Sequence, residues 1–137
     1  MITIHLGFKG IGKTKKLIDS VNNAITEEKG NVICIAEGTR LIHDIKRGAR
    51  LIDTDSFKIS NFDLLIGFVS GIISRDFDIT HIFIDSLMKI VPGETLADMD
   101  KFVEALEFLS SKFNVSFTMM VSANEEDAPE KVRKYMV

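Results

Sequence analysis

Cysteine occurs once in 137 residues, at Cys34, inside the apolar run Val32-Ile33-Cys34-Ile35. That excludes a disulfide framework and a cysteine metal site, and it makes a reducing cytoplasm the expected compartment. Long hydrophobic runs are also missing. The longest, from Phe62 to Ile73, is broken by Asp63, Gly67, Ser70 and Gly71 and falls short of the roughly 20 apolar residues of a membrane span. The opening stretch Ile2-Thr3-Ile4-His5-Leu6 has no basic region before it, so it does not read as a signal peptide. Excess positive charge is lacking too. A net charge of −3 argues against a protein that coats nucleic acid or an anionic membrane. His5, His43 and His81 have neither helical i, i+4 spacing nor a cysteine partner, and His5 and His81, on or beside expected strands, read as structural residues rather than metal ligands. No repeat or low-complexity segment is visible.

What is present suits one globular domain covering residues 1–137, with enough apolar residues for a core. Strand-length apolar runs alternate with helix-period stretches, which predicts an α/β fold with a mostly parallel sheet between helices. Strands are expected at 2–6, 31–36, 81–85 and 116–121, with a short edge strand at 50–53. Helices are expected from Lys13 to Lys29 with a stop at Gly30, over Phe62–Ser74, over Leu96–Phe113, and over Ala128–Tyr135. Asp127 and Glu130 have capping-box spacing for the last of these. Gly67 and Gly71 are expected to allow close packing of their helix on the sheet.

Between the first strand and first helix lies Gly7-Phe8-Lys9-Gly10-Ile11-Gly12-Lys13-Thr14, a complete G-x-x-x-x-G-K-[ST] motif. Glycines admit positive φ and close approach to phosphate, successive N–H groups form an anion nest, and the helix start adds its positive end. Lys13 is expected to reach the β- and γ-phosphates and Thr14 to ligate Mg²⁺. Gly7, Lys9, Gly10, Ile11, Gly12 and Lys15 complete the expected nucleotide-binding set, with ATP and Mg²⁺ as ligands. By chance the motif arises in on the order of one chain in a few hundred, but its strand–helix setting favours function. Ile82-Phe83-Ile84-Asp85 places a carboxylate where an apolar strand meets solvent, so Asp85 is the expected second metal ligand.

Residues 7–14 together with Ile84-Asp85-Ser86-Leu87 resemble the RecA/KaiC-type P-loop ATPases. The whole chain is similar to short stand-alone bacterial ATP-binding proteins, some of which carry a twitching-motility ATPase label. This resemblance implies a small three-layer P-loop domain. Many members of the superfamily have a base Glu directly after the metal-linked Asp, whereas this chain has Ser86. A RecA-like arrangement implies Glu37, just past the second strand, as the catalytic base alongside Lys13. It also implies Ser122 or Asn124 as a γ-phosphate sensor. The usual last strand of such a core is not evident after 116–121, which suggests an exposed sheet edge and assembly with itself or a protein partner. The basic cluster Arg40, Lys46, Arg47 and Arg50 reads as a solvated loop rather than a polyanion site, although an arginine there could serve the active site of a neighbouring subunit. Three functions remain open: a slow Mg²⁺-dependent ATPase, a nucleotide-binding switch or partner subunit, and, ranked last, a small-molecule kinase.

Overall fold

The computed structural model describes residues 1–7 and 12–137. Five strands form one parallel sheet: β1 (Ile2–Gly7), β2 (Asn31–Ala36), β3 (Ala49–Asp53), β4 (Ile79–Ile84) and β5 (Ser116–Ser122). Their spatial order is β1-β5-β4-β2-β3, and every pairing is parallel. Helix α1 (Lys13–Glu27) joins β1 to β2, and α2 (Phe62–Arg75) joins β3 to β4. The short α3 (Leu87–Ile90) and the long α4 (Met99–Phe113) join β4 to β5, and α5 (Glu130–Arg133) follows.

Alternation along the inner strands divides the core between two faces. Val32, Cys34, Ala36, Phe83 and Met120 pack with Leu17, Val21 and Ala24 of α1. On the other side, Ile33, Ile35, Ile82, Ile84, Phe117 and Met119 meet the apolar stripes of α2 and α4. The sheet is thus flanked by helices, compatible with a three-layer α/β fold. Among the described residues no helix is long and apolar enough to cross a membrane.

Several local expectations need correction. The α1 helix ends at Glu27 and its cap residue Glu28 is extended, so Gly30 is not its left-handed stop. Instead Gly30 lies against the start of β4, where a Cβ would sit 2.1 Å from Thr80 Cγ2 and 2.4 Å from the Asp78 carbonyl oxygen. Gly67 and Gly71 are exposed, with nothing within 4 Å of an added Cβ, so they do not mediate helix-on-sheet packing. No Asp127–Glu130 capping box forms. Pro129 precedes α5, without a side-chain cap, and the helix covers four residues only. The box is found instead at Thr95 and Asp98, ahead of α4.

The outer edge of β1 is partly covered as well. Ile4 N–H donates to the Tyr135 carbonyl (2.9 Å), and Val137 N–H donates to the Ile4 carbonyl (3.1 Å), making a parallel bridge at Met136. At the other edge β3 has β2 as its one strand neighbour. His81 has the structural role expected of it. Its ring stacks on Phe83 and lies 2.7 Å from Glu28 Oε2 and 2.8 Å from Thr118 Oγ1. Burial holds its pKa below the ordinary histidine value, against the opposing pull of Glu28.

The two kinds of glycine predict opposite responses to one substitution. Gly30→Ala should cost about 1–3 kcal/mol through overpacking. Gly67→Ala, exposed in a helix interior, should stabilise by up to about 1 kcal/mol. Urea unfolding of both variants checks this, and a Gly30→Ala protein as stable as the Gly67→Ala protein would contradict the packing described.

Candidate functional site

Because all five strands run the same way, their C-terminal ends share one edge of the sheet. Gly7 pairs with Ser122, and Asp85 follows Ile84, the residue paired with both Met119 and Ile35. Across that edge stand Gly7, Ser122, Asp85, Glu37 and Asp53, one from the end of each strand. The chain leaves β1 into α1 on one face and leaves β4 toward α3 and α4 on the opposite face. Divergent exits of this kind open a crevice beyond the strand ends, the usual ligand position in parallel α/β sheets.

A cleft of about 600 Å³ occupies this place. Gly12, Lys13, Thr14 and Lys15 form one wall, and Asp85, Ser86 and Ser122 line its base. Gly12 has φ 78°, left-handed, and stands as the residue before the first turn of α1. Lys13 Nζ donates to the Gly7 carbonyl at 3.0 Å, drawing the helix start back over the end of β1. Burial lowers the Lys13 pKa, and the negative Asp85 partly offsets the effect. Lys9, Gly10 and Ile11 of the expected nucleotide set lie outside the described residues.

Asp85 is the most constrained charge in the site. It is 1% exposed, and its N–H donates to the Ile35 carbonyl at 2.9 Å. One carboxylate oxygen, Oδ2, accepts from the Arg40 guanidinium, while Oδ1 is buried without a hydrogen-bond partner among the described residues. A buried, unpaired carboxylate oxygen is costly unless a ligand completes it. The next residue, Ser86, holds a left-handed φ of 49°, and its hydroxyl accepts from Arg40 at 2.8 Å. Beneath them burial, reinforced by Asp85, pushes the Cys34 thiol up to about 12, so it stays protonated and unreactive.

Arg40 was the signal hidden in the basic cluster. The cluster is solvated as expected, with Lys46, Arg47 and Arg50 exposed, but the Arg40 guanidinium, 40% exposed, reaches Asp85 and lines the cleft of its own chain. The loop that carries it, residues 37–48, is fixed at several points. Gly38 (φ 82°) donates its N–H to Asp53 Oδ1 at 2.8 Å, and Leu41 is buried against α1. Asn22 of α1 donates to the Asp44 carbonyl (3.1 Å) and accepts from Lys46 N–H (2.9 Å). Farther along, Gly48 packs on Ile25.

Glu37 is half-buried at the end of β2, outside the set of residues that line the cleft. Of the two sensor candidates, Ser122 lines the cleft, whereas the Asn124 side chain accepts from Glu126 N–H at 3.0 Å and caps a short turn. Among the described residues no group of three or more His, Cys, Asp or Glu side chains could hold a metal alone. A cation here would rest on Asp85 and the Thr14 hydroxyl, with its remaining positions left for water and ligand oxygens. No protein-family model matches this chain, and no curated protein matches its sequence.

The left-handed backbone at Gly12 yields a prediction independent of any ligand. Although the space around it is open, Gly12→Ala should destabilise the protein by about 1–2 kcal/mol, the cost of left-handed backbone for an L side chain. Thermal unfolding without nucleotide checks this; an unchanged midpoint would mean that the helix start adopts another conformation.

Proposed function

We propose that this protein binds a nucleoside triphosphate, ATP by preference, with Mg²⁺, as a small RecA-like P-loop domain acting in the cytoplasm. One observation carries the reading. The cleft sets four cationic side chains, Lys13, Lys15, Arg40 and Lys89, against one carboxylate, Asp85, in a chain whose net charge is −3. Such a concentration of positive charge beyond the strand ends, with Lys13 supplied by the phosphate-binding motif and Lys15, Arg40 and Lys89 from outside it, suits a polyanion of triphosphate size.

The donor set also fits Mg²⁺, which keeps most of its waters and needs few protein oxygens. Asp85, through its unpartnered Oδ1, and Thr14 would hold it, and the ion would supply neutralisation of charge between the phosphates. Lys13, extended from the first turn of α1, would carry charge to the β- and γ-phosphates. The Ser122 hydroxyl at the cleft base would donate to the terminal phosphate. Hydrolysis would need a group to orient water, and Glu37 is the carboxylate assigned to that role. Its position outside the cleft lining favours slow turnover, or a nucleotide-dependent switch with no appreciable turnover by itself. A kinase is the weakest reading, because neither an arginine-rich lid nor an acceptor pocket is recognisable in the sequence.

Calorimetric titration with ATP in Mg²⁺ buffer tests the binding. Wild type should bind, and Lys13→Ala should weaken affinity at least about tenfold, or about 1.4 kcal/mol. Equal affinity in the two proteins would remove the phosphate assignment. Phosphate release by wild type and Glu37→Gln then separates ATPase from switch: slow release abolished in the variant supports the enzyme, and equal inactivity of both supports the switch.

A further inference from the structure

The geometry points to Arg40 as the residue that distinguishes a terminal phosphate, held ready in the free protein by its pairing with Asp85. This rests on the reading of the cleft as a triphosphate site and adds to it the means of telling triphosphate from diphosphate.

Three features of the structure lead there. First, Arg40 sits in the wall of the same cleft as Lys13 and Thr14, on the same chain, so a charge for the terminal phosphate needs no second subunit. Second, its partner is the carboxylate suited to hold the cation. Asp85 is 1% exposed, and without Arg40 both of its oxygens would lack a partner. Leaving a buried carboxylate without its cationic partner is destabilising, so Asp85 depends on this guanidinium whenever no metal faces it. Once Asp85 faces a dication, Arg40 loses that task and is repelled from its former place. Third, the backbone around Arg40 is fixed while its side chain is 40% exposed. Leu41, the Gly38–Asp53 bond and the Asn22 contacts hold the loop, so the guanidinium can change partner by side-chain rotation alone. Its planar fork of donors then matches phosphate oxygens in two-point geometry.

The consequence is an exchange of partners. In the free protein Arg40 compensates Asp85 and steadies Ser86. With metal and triphosphate present, it moves to the terminal phosphate. A diphosphate leaves it without that anion, so the site distinguishes the two nucleotides through one side chain.

Affinities for ATP and ADP, each with Mg²⁺, test this in wild type, Arg40→Ala and Arg47→Ala. Arg47→Ala removes an equal charge from an exposed position in the same loop. Wild type should prefer ATP. Arg40→Ala should reduce the ATP-to-ADP affinity ratio about tenfold while ADP affinity changes no more than about twofold, the scale expected for one charge-assisted hydrogen-bonded contact. Arg47→Ala should preserve the ratio. If Arg40→Ala does not fold, Arg40→Gln keeps the stem, removes the charge and is read in the same way. An unchanged ratio, or equal loss of both nucleotides, overturns the role of Arg40 while leaving nucleotide binding intact. Failure of wild type to bind either nucleotide overturns the triphosphate reading and this inference together.

Discussion

A carboxylate that is 1% exposed, at the end of the central strand of a parallel sheet, has to be compensated by something. Among the described residues the one side-chain hydrogen-bond partner of Asp85 is Arg40, 45 positions earlier in the chain, which reaches one of the two oxygens, while the Lys13 charge acts on it from nearby. Much of the surrounding architecture serves this pair. The loop between β2 and β3 has to arrive at the right height over α1. Asp53 grips its beginning at Gly38, Leu41 sinks into the α1 core, and Asn22 ties its far half. Those contacts belong to the scaffold, yet their effect is to place one guanidinium.

The same edge of the sheet also concentrates unusual backbone. Gly12, before the first turn of α1, and Gly38 and Ser86, just beyond the ends of β2 and β4, all have left-handed φ, and Gly12 and Ser86 line the cleft. Glycine accepts that conformation without strain, but Ser86 does not. Its position between Asp85 and α3 turns the chain along the cleft, which Met88 and Lys89 of α3 also line, and puts its hydroxyl within reach of Arg40. Left-handed Lys58 and Asn114, by contrast, close helical turns away from the site.

Much of the fold was legible in the amino-acid order because its periods were clean. The apolar runs at 31–36 and 116–121 and the stripes of α1 and α4 gave nearly correct bounds, and Asp85 followed from a strand that ends in a carboxylate. The rest depended on long-range contact. Gly30 read as a helix stop and Gly67 as a packing glycine, and only the approach of Thr80 and the Asp78 carbonyl shows that the first is crowded and the second open. Arg40 was one of several basic residues in a polar stretch, and no local period reports a partner 45 residues away. The pairing of Ile4 with Tyr135 and Val137 was hidden for the same reason: a three-residue bridge is too short to produce alternation. Glu37 sits where a strand-end rule puts it, but whether it faces the cleft depends on the course of the loop beyond it.

The claim at the centre is that Asp85 links a divalent cation to a bound triphosphate. Its most direct test is ATP affinity in EDTA and in saturating Mg²⁺, measured for wild type and for Asp85→Asn with its folding verified by circular dichroism. The account predicts that Mg²⁺ strengthens ATP binding in wild type and that this gain largely disappears in the variant. An equal gain in both proteins, or none in wild type, would contradict it.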